Sequence, residues 1–144
     1  MSNEYFDAPL EPLVKTLLGK YDELAHCQTA KIKYLFKSSE HSKYLGKCNK
    51  AQKKWRHLTG FHYVIEIWRE WWEGASDTQK EALLYHELRH VEKVVKVKKG
   101  VETIKWKIRR HDEELFLEEI RRYGAWNPSL TALAKIMAGD IKEE

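Results

Sequence analysis

Residues 76–90 run SDTQKEALLYHELRH: a helix-start signal, an apolar stretch, and two histidines four positions apart. Ser76 with Gln79 three residues on makes a capping-box pattern, in which each side chain reaches the other's backbone N–H. Ala82, Leu83, Leu84 and Leu88 follow, so a helix is expected from about Asp77 to Lys93. Inside it His86-Glu87-Leu88-Arg89-His90 forms an HExxH. Residues four apart differ by ~400° of rotation and ~6 Å of rise, which puts both imidazoles on one helix face, within reach of one ion. Imidazole nitrogen is a good zinc donor, and a neighbouring carboxylate suits proton transfer to and from a water attacking a carbonyl. The plainer alternative is an ordinary helix whose two histidines face solvent or are satisfied in the core.

On the N-terminal side, residues 61–72 are the clearest strand, because Phe61, Tyr63, Ile65 and Ile67 alternate with His62, Val64, Glu66 and Trp68. Further upstream, residues 31–36 also alternate, and Lys33-Tyr34-Leu35-Phe36-Lys37 is echoed by Lys43-Tyr44-Leu45-Gly46-Lys47, as two sides of a hairpin would be. Trp55 is expected to end a strand, and residues 10–25 to form an amphipathic helix opened by Pro9 and Pro12. Downstream, residues 94–108 read as a basic hairpin turning at Lys99-Gly100, followed by helices over about 112–123 and 129–137. The order is that of one α+β domain over residues 1–144: an N-terminal helix, antiparallel strands, the HExxH helix, a basic hairpin and C-terminal helices.

A catalytic zinc takes three protein ligands and keeps one open position. Lys93 and Lys96 stand where a short extension of the motif would place a glycine and a third histidine, so the third ligand must come from further on. His111 lies 21 residues after His90, beyond the expected hairpin, which can return the chain to the metal. Asp112 or Glu114 could then orient it. Glu114 is the alternative third ligand, ahead of Glu113 and Glu118. Carboxylates at a helix start also serve its dipole, and that explanation suits Glu113 and Glu119.

The segments LLYHELRH (83–90), HDEELF (111–116) and RYGAW (122–126) together resemble the family named Putative phage metallopeptidase, over roughly residues 30–126. The resemblance implies a small zincin-like fold, similar in plan to Spartan-like proteases, with zinc-dependent peptide hydrolysis as the activity. His86, His90 and His111 would then bind Zn²⁺ and Glu87 would act as general base on a protein or peptide substrate. Arg89 departs from the pattern, placing a long cation where such helices usually carry a small or apolar residue.

Composition narrows the compartment and the partners. A chain of 144 residues, 42% hydrophobic and 12% aromatic, can pack a core. It has no run approaching the ~20 apolar residues of a membrane span. Its acidic N-terminus lacks a signal-peptide layout. Cys27 and Cys48 make no metal-binding pair and are expected reduced, so a cytoplasmic location follows, the bacterial host's if the chain is phage-encoded. The net charge of +4 conceals two basic segments. Residues 31–56 carry nine Lys/Arg against one acid, and residues 93–110 carry eight against one. Interleaved with aromatics, these segments would suit nucleic-acid contact. They keep a second function open: a non-catalytic protein on a zincin scaffold that binds nucleic acid or a host protein.

Overall fold

A computed structural model describes residues 3–110, 122 and 123. The elements are β1 (Glu4–Asp7), α1 (Glu11–Lys20), a 3₁₀ helix (Asp22–Thr29), β2 (Ile32–Ser38), β3 (Gly46–Lys50), α2 (Lys53–Thr59), β4 (Tyr63–Trp68), α3 (Arg69–Gly74), α4 (Asp77–Arg89), β5 (Val91–Lys98) and β6 (Val101–Ile108). Four strands form one sheet in the order β1-β2-β4-β3, and β5 and β6 form a separate two-stranded ribbon. The architecture is mixed α+β.

The expectation of antiparallel strands fails at the centre of this sheet. β2 runs parallel to β4, with Tyr34 beside Ile65, while β3 runs antiparallel on the far side of β4, with Cys48 beside Ile65. Parallel neighbours need a long crossover, and β3 with α2 fills the interval between β2 and β4. The echoed segments therefore flank β4 instead of pairing as a hairpin. Trp55 lies in α2, where it is exposed, and ends no strand.

One face of the sheet is apolar. Tyr34, Tyr63, Ile65 and Ile67 are buried there beneath Leu17 of α1, Leu24 of the 3₁₀ helix, and Leu83, Leu84 and Leu88 of α4. Each such side chain contributes roughly 1.5–3 kcal/mol relative to exposure. Lys33, Leu35, Lys37, Val64 and Glu66 alternate onto the other face, where Lys33 pairs with Asp7 at 2.9 Å.

Several boundaries differ from the expected ones for local reasons. α1 stops at Lys20 and the chain continues as the 3₁₀ helix, so the first helix is two pieces. β4 ends at Trp68, where Glu70 of α3 accepts a hydrogen bond from the Ser39 N–H (3.1 Å). Trp72 then packs against Phe36, while the Trp68 indole donates to the Ser39 carbonyl at 3.0 Å. α4 opens with the full capping box: Gln79 N–H to Ser76 Oγ (3.2 Å) and Ser76 N–H to Gln79 Oε1 (2.9 Å). It ends at Arg89, short of Lys93, because the β-branched run beginning at Val91 pairs with β6 from Ile108 backwards. The ribbon turns at Lys99 (φ 53°) and Gly100 (φ 78°), the pair of positive φ values that a two-residue type I′ hairpin needs. No helix among the described residues is long and apolar enough to cross a membrane. The expected C-terminal helices fall outside the described residues except at Arg122 and Tyr123, which are helical.

Candidate metal centre

His86 and His90 stand on the last turn of α4. His90 lies one residue past the helix but keeps right-handed helical angles (φ −72°, ψ −20°), so the four-residue spacing still holds both rings on one side. Their ring centroids are 5.2 Å apart, with planes inclined at 75°. Both residues are half-buried, whereas Glu87 between them is only 3% exposed.

The environment of His90 specifies its tautomer. Its Nδ1 is 2.8 Å from the Arg109 carbonyl. A carbonyl has no proton to give, so Nδ1–H is the donor, and in the neutral ring the lone pair is left on Nε2. This is the arrangement by which metal-binding histidines are commonly oriented. The reciprocal bond, Arg109 N–H to the His90 carbonyl at 2.7 Å, closes the base of the ribbon onto the end of α4. Two further carbonyls at this junction are satisfied from the 3₁₀ helix: Leu88 O accepts from Cys27 Sγ (3.5 Å) and Val91 O from His26 Nε2 (2.6 Å).

Glu87 lies against β3. A Cβ added at Gly46 would meet Glu87 Oε2 at 2.9 Å and Leu83 Cδ1 at 3.1 Å, so a side chain there displaces the carboxylate or its neighbour. Gly46 is a site residue that sequence reasoning missed. The signal was available, since Gly46 stands in the second copy of the echoed segment where the first has Phe36. Cys48, also on β3, has its thiol held neutral, chiefly by burial and then by the Glu87 charge. Burial likewise pushes the Cys27 thiol up to about 12, against the pull of the Arg89 cation. Arg89 is 9% exposed, and its charge acts on Cys27 and Tyr85.

A second cluster flanks α4. The Tyr85 hydroxyl donates to Glu23 Oε2 (2.6 Å), and Arg122 grips the same carboxylate through Nε (2.8 Å) and Nη2 (3.2 Å). Tyr123 donates to Glu81 Oε2 (2.9 Å) and packs edge-on against Tyr21 and Tyr85. His62 stacks on Trp106 at 5.0 Å and accepts the Lys31 N–H on Nδ1. Both Tyr123 and His62 are thus tied into the framework.

Among the described residues no three His, Cys, Asp or Glu side chains are grouped to hold an ion. The candidate donors His86 and His90 are two, and His111 and its alternative Glu114 lie outside the described residues. The donor chemistry of the two histidines, with one tautomer specified by a backbone carbonyl, fits a divalent metal. A family model described as Putative phage metallopeptidase matches residues 4–138, a wider span than the motif-bearing segments alone. No curated protein and no solved structure matches the chain.

Proposed function

The chain belongs to the Putative phage metallopeptidase family, and we propose that it is a zinc-dependent peptidase of zincin-like fold, formed as a single domain over residues 1–144. His86 and His90 would hold the metal, with His111 as third ligand or, failing that, Glu114. The observation that carries this reading is the His90 ring, which donates Nδ1–H to Arg109 O and lies 5.2 Å from the His86 ring. The same bond returns the ribbon to α4 two residues before His111, and two peptide units reach about 7 Å. Zinc, when bound, supplies Lewis acidity towards a peptide carbonyl and lowers the pKa of water towards ~7.

Glu87 is assigned the proton transfers. Its carboxylate would take the proton of the attacking water and pass it to the leaving amine. The low exposure of Glu87 and the closeness of its carboxylate to Gly46 of β3 support that role. β3 is an edge strand, so its outer side offers backbone groups to an extended peptide, with Gly46 leaving room beside the carboxylate.

Metal analysis of protein purified without chelators tests the centre, and about one zinc per chain is expected. Glu87→Gln should keep that zinc while hydrolysis of an unfolded protein falls by roughly 10²–10⁴-fold, the usual range for loss of a general base. Wild-type protein without zinc would overturn the proposal. Zinc-loaded wild type that cleaves no unfolded protein would favour the non-catalytic binding protein instead.

A further inference from the structure

The β5–β6 ribbon gathers four of the five lysines of its strands on one face. In an antiparallel ladder, directly paired residues share a face and alternate pairs change sides. The register therefore places Glu92/Lys107, Val94/Lys105, Lys96/Thr103 and Lys98/Val101 on one face. Each of these four rungs carries one lysine, first from β6 and then from β5. Rungs on the same face are ~6.8 Å apart, so the row spans ~20 Å. Lys96, Lys98 and Lys105 are exposed, Lys107 is half-buried, and none of the four is in an ion pair among the described residues. Lys99 adds a fifth charge at the turn.

The ribbon's other face anchors it. Trp106 (8% exposed) packs against His62 and Tyr63, and the Tyr63 hydroxyl donates to the Lys107 carbonyl at 2.6 Å. The lysine row thus stands on a base fixed to the sheet and to the end of α4.

We propose that the lysine row Lys107–Lys105–Lys96–Lys98 is a docking surface for the phosphate backbone of nucleic acid, bound without regard to sequence. A small anion would occupy one or two rungs, whereas a row of four, crossing from β6 to β5, calls for an extended polyanion. A two-stranded ribbon is also a shape that the DNA major groove admits. An anionic membrane fits less well, because exposed Val95, Val97 and Ile104 lie on the face opposite the lysines, against the single exposed Val101 beside them. A bilayer could not take up both at once. The first basic segment lacks this order: it is divided among β2, β3 and α2, with Lys33 paired to Asp7 and Lys47 lying over Tyr44. Docking of this kind does not depend on the proposed zinc chemistry.

The test is fluorescence anisotropy of full-length protein with a labelled random-sequence duplex and its single strand, over a range of salt. Four phosphate contacts predict a duplex slope near −3.6 in log affinity against log salt, a loss of about 150-fold between 50 and 200 mM. The variant K96Q/K98Q/K105Q/K107Q should lose most of the affinity and most of the slope. The variant K33Q/K37Q/K47Q/K54Q, with equal charge removed elsewhere, should keep both. Circular dichroism checks the fold, and should the quadruple variant fail to fold, Lys98→Glu alone must still lower the slope by about 1. The proposal is overturned by absent or salt-independent binding, by loss in the second variant but not the first, or by lysine-dependent binding to phosphatidylserine vesicles that nucleic acid does not compete away. Binding that survives Glu87→Gln supports it, and a duplex or single-strand preference identifies which form is held.

Discussion

At the scale of single residues, the contact between Gly46 and Glu87 ties the sheet to the proposed chemistry. Gly46 is needed for space, since its φ is unexceptional and its added Cβ would fall 2.9 Å from Glu87 Oε2. Gly46→Ala is therefore expected to retain zinc and the fold while kcat/KM falls at least ~10-fold, because displacement of a reacting group by ~1 Å can cost up to ~10²-fold. Parallel zinc analysis and peptide hydrolysis check this, and full activity in the variant would show that β3 does not constrain the carboxylate. The pairing of His86 with His90 was legible from spacing alone. The proton on His90 Nδ1 was not, because it depends on a carbonyl 19 residues away that only the ribbon's return brings near.

Among the elements, α4 and the ribbon meet with no linker: helix to Arg89, one residue in helical conformation, then strand from Val91. The capping box at Ser76 announced where α4 begins, since that signal is local. Its end was set by strand pairing, which competes with helix for Val91, Val94 and Val95 and is decided by where β6 lies. The ribbon's turn carries a local cost, since Lys99 sits at φ 53°, a region that asparagine tolerates better than lysine. Lys99→Asn should raise stability by up to about 1 kcal/mol, read as a higher urea midpoint at unchanged slope. A lower midpoint would mean that the Lys99 side chain has another stabilising role. The β2–β4 pairing was illegible for a related reason: alternation marks a strand but says nothing of its neighbour or direction.

For the molecule as a whole, the Glu23–Tyr85–Arg122 cluster joins the 3₁₀ helix, α4 and the helical residues beyond the ribbon. Burial opposes the Glu23 charge, but the Tyr85 hydroxyl and the Arg122 guanidinium outweigh it, so its pKa is lowered on folding. A lowered carboxylate pKa stabilises the fold above the unfolded value, near 4.3, and that contribution is lost as pH falls through the lower folded value. Urea unfolding should accordingly show Glu23→Gln less stable than wild type at pH 7, with the gap closing as pH falls through the folded value. A gap that does not narrow as pH falls would assign the effect to packing. The family, the two histidines with their intervening glutamate, the mixed α+β class and the basic character of residues 93–110 were all determined by the sequence. Each rests on residue type and short spacing, which chain geometry translates directly into structure. Only the tertiary structure decided that β2 and β4 run parallel, that Gly46 abuts Glu87, that Arg109 sets the His90 tautomer, and that four lysines share one face of the ribbon. These depend on register and on contacts between distant segments, where a shift of one residue reverses every side chain.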